Sequence, residues 1–238
     1  MVIYAMNELF VIRLIPVLTK EKRIFAFELF LNQRISINPT DKGNTGHSSW
    51  ITNKFQIFLI KLKYIRETST RSSSPSRKIV IGLDRELLVF ILNDKKTKEN
   101  IASIKEVRFI IDASIDIINS RSDYRLIKEL SAISKIWLND FGTGKTSIIS
   151  LKMMAFEHIK INREFMLRYG NMNFFHKMLD DINTWSGGAI LTGIDSDELH
   201  RQFSATMFYG MQGELWNTII LTMGDHALCP PLPGLIRP

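Results

Sequence analysis

The stretch Leu138-Asn139-Asp140-Phe141-Gly142-Thr143-Gly144-Lys145-Thr146-Ser147 decides how this chain folds. It follows a short apolar run, residues 136–138, that is typical of the end of a buried strand. It precedes residues 147–154, which have the apolar spacing of a helix. An acidic, glycine-rich turn between a strand and a helix is the place where α/β proteins hold their ligands. The stretch therefore predicts an α/β fold with ligand chemistry at the carboxyl end of a strand.

Two interpretations of this turn compete with the possibility of an ordinary tight loop. The first is a phosphate-binding loop, because Gly144-Lys145-Thr146 matches the end of that motif. Its leading glycine would stand at position 139, which is asparagine, so the backbone N–H groups cannot wrap a phosphate. The second is an acidic turn of the pattern Asp-Asp-Phe-Gly-Thr-Gly, in which Asn139 stands in place of the first aspartate. The rest of the chain decides between them.

Outward from the turn, short apolar runs alternate with amphipathic segments along the chain. The expected strands are residues 8–18, 24–31, 78–83, 106–112, 135–140, 157–161, 189–192 and 207–211, and the expected helices are residues 50–65, 84–92, 123–131, 147–154, 173–185 and 195–203. Repeated strand–helix units predict a parallel sheet with helical crossovers, and this many units in one domain predict a closed α/β barrel of the TIM type. Residues 67–77 and 94–100 are expected to be solvated connections.

Composition limits the classes of function that need to be considered. The chain has 238 residues, a formal net charge of +7 and a single cysteine, Cys229. One cysteine forms no internal disulfide and fits a reducing, cytoplasmic location. The lysines and arginines are scattered, which favours a solvated basic surface over nucleic-acid binding. Residues 1–223 are expected to form the domain, and residues 224–238, which contain four prolines, an irregular tail.

Several separate segments resemble the EAL domains, the phosphodiesterases that hydrolyse cyclic di-GMP. The matching segments, in family order, are Ile15-Pro16-Val17, Phe27-Glu28-Leu29, the turn at Asn139-Asp140, Lys160-Ile161-Asn162, Thr192-Gly193-Ile194-Asp195 and Met211-Gln212-Gly213. The resemblance spans about residues 15–216 and implies an EAL-like barrel. It also implies that Glu28 stands at the family's metal-binding glutamate and Lys160 at its catalytic-centre lysine.

The chain departs from the family at most of the metal-binding positions. The resemblance implies four lost ligand positions, which are Gly82, Ile110, Asn139 and Thr192. Divalent metals that activate water need several carboxylate oxygens, so this loss predicts no metal, no cofactor and no catalysis. Asp112 lies two residues after Ile110 on the same strand face, where it could partly replace the lost glutamate. Asn32 also replaces an arginine that would clamp a phosphate of the nucleotide.

The residues left at the family's site are interpreted as a vestigial pocket. They are Glu28, Asp140, Lys160, Asp195 and Gln212. A buried lysine needs a carboxylate partner, and we expect Lys160 to pair with Asp140 or Asp195 across the barrel mouth.

Among degenerate EAL domains, the chain is most similar to the YdiV type, through Ala26-Phe27-Glu28-Leu29, Val107-Arg108-Phe109 and Trp137-Leu138. That resemblance implies a non-enzymatic protein that binds the FlhD subunit of the flagellar master activator FlhD–FlhC and represses motility. The contact surface for FlhD stays unknown at this level. Cyclic di-GMP binding is not expected, and a sensor that binds this nucleotide without cleaving it is the alternative.

Overall fold

The computed structural model of the chain describes residues 10–33, 53–71, 77–112, 116, 119–143 and 146–223. Within them the fold is one closed barrel of eight strands surrounded by helices, so the expected single-domain α/β barrel is confirmed. The expected tail, residues 224–238, lies outside the described residues, as do Gly144 and Lys145 of the turn that decides the fold.

The described residues form nine strands. They are β1 (Phe10–Thr19), β2 (Ile24–Gln33), β3 (Lys78–Leu83), β4 (Val107–Asp112), β5 (Lys135–Phe141), β6 (His158–Ile161), β7 (Ala189–Thr192), β8 (Gly210–Gln212) and β9 (Ile219–Met223). Each strand from β2 to β8 is parallel to the next strand in that series, as the strand–helix alternation predicts. Strand β1 is antiparallel to both β2 and β8 and closes the ring. The turn between β1 and β2 is too short for a crossover, so that pair forms a hairpin.

Eight helices are present in the same residues. They are α1 (Lys54–Arg71), α2 (Arg85–Asn93), α3 (Lys95–Ala102), α4 (Arg121–Ser131), α5 (Ile148–Met153), α6 (Arg163–Tyr169), α7 (Asn173–Trp185) and α8 (Asp197–Gln202). None of the helices in the described part of the chain has the length and apolarity required to cross a membrane.

Two of these helices were not predicted, and local capping explains why they form. Helix α3 was expected to be an irregular polar connection, but Asp94 caps it by accepting a hydrogen bond from the Thr97 N–H at 2.8 Å, and Ile101 is buried. Helix α6 follows Asn162, whose side chain accepts from the Phe165 N–H at 3.1 Å. The polar composition of α3 concealed that helix, and α6 was missed because it has only seven residues.

Two further boundaries differ from the sequence expectation. Helix α1 extends to Arg71 through residues expected to be loop. Within this extension the buried Thr68 hydroxyl donates back to the Tyr64 carbonyl at 2.8 Å, which satisfies the hydroxyl inside the helix. The strand expected at residues 207–211 is shorter, and it is followed by β9, which pairs with the first half of β1. Pairing between strands about 200 residues apart has no local signature.

The core has two layers that follow the alternation of side chains along each strand. Inside the barrel lie Val17, Ala26, Val80, Ile110, Trp137 and Ile190. A larger layer between the sheet and the helices contains Phe27, Ile79, Phe109, Leu138 and Ile159. One face of each strand is thus apolar and sealed by helices, while the other face points into the barrel and carries the polar residues of its mouth.

Candidate functional site

A buried ion pair occupies the mouth of the barrel. Glu28 of β2 and Lys160 of β6 meet with the Lys160 Nζ donating to Glu28 Oε2 at 2.8 Å, and Gln212 Nε2 of β8 donates to the same oxygen at 3.1 Å. The three side chains are only 9%, 6% and 7% exposed, respectively. Each charge is therefore neutralised or hydrogen-bonded, as burial requires. The expected partners of Lys160, Asp140 and Asp195, are wrong, because its ammonium pairs with Glu28.

Asp140 belongs to a separate network in the turn after β5. Its carboxylate accepts from the Asn139 amide at 2.9 Å and from the Asn162 amide at 3.3 Å. Its backbone is left-handed, with φ of +49°, a conformation that Asp tolerates better than most residues. The Thr143 hydroxyl donates to the Asp140 carbonyl at 2.8 Å and tightens the turn. The turn is thus held by neutral amide and hydroxyl donors, and Asn139 serves as one of them.

Asp195 lies on a third network beside the mouth. Its carboxylate pairs with the Arg163 Nε at 3.0 Å and accepts from the Glu214 N–H at 2.9 Å. Arg163 also packs against Gly193, where an added Cβ would clash with the Arg163 side chain. Of the five residues expected to form one vestigial pocket, the structure brings Glu28, Lys160 and Gln212 into contact and holds Asp140 and Asp195 in separate networks.

The four expected lost-ligand positions offer little to a cation. Gly82 of β3 faces Ile110 of β4, and Ile110 belongs to the apolar interior of the barrel. The Thr192 hydroxyl donates to the Ile161 carbonyl at 2.6 Å, and the Asn139 amide donates to Asp140. Asp112, the suggested replacement, lies at the exposed end of β4.

The donor set therefore does not fit a pair of divalent cations. Magnesium and manganese require several oxygen ligands, mostly carboxylates, around one point. The Glu28 carboxylate already holds an ammonium group, and the Asp140 carboxylate accepts from two amides. In the part of the chain that the structure describes, no three His, Cys, Asp or Glu side chains converge as a metal site would require.

A second lysine near Glu28 was not identified from the sequence. Burial lowers the pKa of Lys61 in α1, and the negative charge of Glu28 partly opposes that effect. The sequence could have indicated that Lys61 is partly buried, because it lies three residues after Phe58 and four before Ile65, on the buried face of α1. Glu28 thus interacts with two cationic side chains, one of which bonds it directly.

The opposite end of the barrel is closed by a second charged network. Glu157 pairs with Arg108 Nε at 2.7 Å and Lys78 Nζ at 3.2 Å, and it accepts from Trp137 Nε1 at 2.7 Å. Burial alone would raise the pKa of Glu157, but the Trp137 hydrogen bond and the charges of Arg108 and Lys78 outweigh it and lower that pKa. The positive charge of Arg108 is thus neutralised at the far end of the barrel.

His158 packs beside this network, among aromatic rings. Its ring lies 5.0 Å from Trp137 and 4.3 Å from Tyr209, centroid to centroid. Burial lowers its pKa to about 4, so the imidazole is neutral at physiological pH. Its Nδ1 lies 3.3 Å from the Gly188 carbonyl, which fixes the tautomer that carries the proton on Nδ1. This end of the barrel is thus a packed plug of aromatic rings, in which the neutral imidazole contributes packing and one hydrogen bond.

Comparisons with known proteins connect this geometry to a fold family. No family model matches the chain. The cyclic di-GMP phosphodiesterase PdeH of Escherichia coli K12 is 24% identical over 156 residues, which cover 60% of this chain and 60% of PdeH. The match therefore spans less than two thirds of the length of that relative.

Solved structures match over more of the chain. The EAL-like domain protein YdiV aligns with a TM-score of 0.74 and 16% identity, over 91% of this chain and 95% of YdiV. The PaMucR phosphodiesterase in complex with cyclic di-GMP aligns with a TM-score of 0.63 and 14% identity, over 87% and 90% of the two chains. BlrP1 of Klebsiella pneumoniae, in a manganese and cyclic di-GMP complex, gives 0.64 and 12%, over 93% and 60%. The chain has the EAL-like barrel fold, and the likeness expected from its motifs is confirmed.

Proposed function

We propose that this chain is a non-enzymatic EAL-like regulator that acts in the cytoplasm. It binds the FlhD subunit of the flagellar master activator FlhD–FlhC, blocks the activator, and so represses flagellar genes and motility. The proposal has two parts, loss of catalysis and gain of a protein partner, and different observations support them.

The Lys160–Glu28–Gln212 network carries the first part. Glu28 Oε2 already accepts two hydrogen bonds, from the Lys160 ammonium at 2.8 Å and from the Gln212 amide at 3.1 Å. The positions that would complete a metal site are glycine, isoleucine, asparagine and threonine, which together supply no carboxylate. Metal-assisted hydrolysis needs an ionised water on a bound cation, so this mouth supports no such reaction.

The second part rests on the likeness to YdiV. The overall alignment covers nearly all of both chains. The segments that suggested this type from the sequence lie on three barrel strands: Ala26-Phe27-Glu28-Leu29 on β2, Val107-Arg108-Phe109 on β4 and Trp137-Leu138 on β5. A stable barrel without catalysis remains able to present a surface to another protein.

The two parts call for paired experiments on the purified full chain. Cyclic di-GMP is incubated with magnesium or manganese, with PdeH as the positive control for hydrolysis, and we expect no product from this chain. A pull-down with purified FlhD is expected to retain FlhD, and overexpression is expected to reduce swimming. Metal-dependent hydrolysis would overturn the first part, and failure to retain FlhD would overturn the second.

The second candidate function is a cyclic di-GMP sensor that binds without hydrolysis. The observation that favours it is the likeness of the fold to proteins solved with this nucleotide, PaMucR and BlrP1. Titration calorimetry separates the candidates. Micromolar affinity for cyclic di-GMP would favour the sensor, and the absence of binding heat would favour the FlhD-binding regulator.

A further inference from the structure

Strands β1 and β2 continue beyond the barrel, and β9 joins them in a small sheet above its mouth. Strands β1 and β2 have ten residues each, but β2 pairs with β3 only from Ala26 to Glu28. The part of β2 beyond Glu28 pairs with the first half of β1, and β9 pairs with the other edge of that half. We call this unit, residues 10–14, 29–33 and 219–223, the mouth sheet.

The inner face of the mouth sheet is an ordinary buried face. Ile12 and Leu14 of β1 are 0% exposed, and Leu29 and Leu31 of β2 are also buried. These side chains pack into the large core layer that includes α1. This face needs no further partner.

The outer face is mixed and open to solvent, since it carries the apolar side chains of Val11, Phe30 and Ile220 together with the exposed Arg13 and Asn32. Phe30 is 38% exposed and Ile220 is 65% exposed, while Val11 and Ile15 are half-buried. A solvent-facing side of an antiparallel sheet ordinarily carries polar side chains. Large apolar side chains grouped on a sheet face that no residue in the described ranges covers indicate an interaction surface.

A single arginine lies in the centre of this face. Arg13 is directly opposite Phe30 on one side and Ile220 on the other, so the three form one row across the strands. Arg13 is exposed and forms no ion pair with any residue in the described ranges. An unpaired guanidinium flanked by apolar side chains complements an acidic side chain that is itself surrounded by apolar groups.

We propose that the outer face of the mouth sheet is the docking site for an amphipathic helix of the protein partner, which carries an Asp or Glu on its apolar side for Arg13. This inference rests on the proposed function and identifies the partner's helix as one of FlhD. Three strands spaced about 4.8 Å apart present a row about 10 Å wide, which matches the diameter of a helix. A helix is also the element that packs most commonly on a sheet face.

The position of this face links docking to the mouth. Ile15 lies opposite Glu28 in the register of the hairpin, and Val17, two residues further, lies inside the barrel. The outer face is therefore the upward continuation of the barrel's inner wall. A helix seated on Phe30, Arg13 and Ile220 covers the side of the mouth above the Glu28–Lys160 pair.

Two substitutions test the site, each with a matched control. Arg13→Glu reverses the central charge, and Arg125→Glu makes the same change at an exposed arginine of α4. Ile220→Ser removes the most exposed apolar side chain of the row, and Met207→Ser is its control, since Met207 is 66% exposed and precedes β8. Binding of each purified variant to purified FlhD is measured by calorimetry, after melting curves show that it is folded.

We expect Arg13→Glu and Ile220→Ser each to weaken FlhD binding at least about tenfold, while both controls bind as the wild type does. An acid-to-arginine change in FlhD that restores binding to Arg13→Glu would identify the partner's acidic residue. Unchanged binding by both test variants would overturn this inference and leave the proposed function standing. A wild-type chain that fails to bind FlhD overturns both. A self-dimer that Ile220→Ser dissociates would assign the face to a second copy of this chain and overturn the inference.

Discussion

Lys160 and Glu28 are 132 residues apart in the chain, yet their charged groups meet at 2.8 Å inside the barrel mouth. Because both side chains are buried, removing the ammonium leaves a carboxylate without its counter-charge in a poorly solvated place. We predict that Lys160→Met lowers the free energy of unfolding by about 3 kcal/mol, measured by urea denaturation.

A double variant provides the control for that prediction. Lys160→Met combined with Glu28→Gln removes both charges, and the amide at position 28 can still bond with Gln212. We expect the double variant to recover most of the stability that the single variant loses, since no unpaired charge remains. Equal losses in the single and double variants would show that lost packing, not the unpaired charge, sets the cost.

Divalent metals should not stabilise this protein. A ligand that binds only the folded state raises the free energy of unfolding by RT ln(1 + [L]/Kd), and Tm rises with it. The mouth provides no converging carboxylates for magnesium or manganese. We predict that millimolar manganese gives the same Tm as EDTA in thermal melts. A concentration-dependent rise in Tm that Glu28→Gln abolishes would contradict this prediction and place a metal site at the mouth.

Much of the fold was predictable because strand–helix alternation is a local pattern. The boundaries of strands β3 to β7 and helix α7 agree with the sequence expectation to within one residue at each end. The missed helices, α3 and α6, are short, with eight and seven residues, and each begins at a side-chain cap, Asp94 or Asn162. Strand β9 was missed because its partner, β1, lies at the other end of the chain.

The candidate site was less predictable than the fold. The sequence placed Glu28, Lys160 and Gln212 near the carboxyl ends of strands, and the closed ring then brings them into contact. It did not identify which carboxylate meets Lys160, because that choice depends on the stagger of strands around the ring. Arg13 and Phe30 went unnoticed because only the register of the hairpin shows that they form a row.

Stability should fall between pH 7 and pH 5 because of His158. Burial lowers the pKa of this imidazole from 6.5 to about 4 in the folded protein, so the unfolded chain takes up a proton first as the pH falls. The contribution is complete above about pH 6.5 and is lost progressively toward pH 4. We predict a loss of about 2 kcal/mol between pH 7 and pH 5, measured by urea denaturation.

The substitution His158→Asn isolates this group from the others that titrate. An asparagine amide can replace the Nδ1–H that faces the Gly188 carbonyl, and it does not titrate. The neighbouring charges of Glu157, Lys78 and Arg108 stay in place. We expect the variant to show a flatter pH dependence over this range, and an unchanged slope would mean that another group is responsible.

Glu157→Gln should destabilise the plug at the far end of the barrel. The amide oxygen can still accept from Trp137, but it cannot neutralise Arg108 and Lys78, and the Arg108 and Glu157 side chains are only 16% and 17% exposed. Because two cations then lie close together without a counter-charge, we predict a loss of about 3 kcal/mol in the free energy of unfolding. The matched control is Glu99→Gln, which removes an ion pair with Lys95 whose side chains are 66% and 89% exposed. That change should alter stability by less than about 0.5 kcal/mol, and similar losses in the two variants would show that the plug's charges contribute no more than a surface pair.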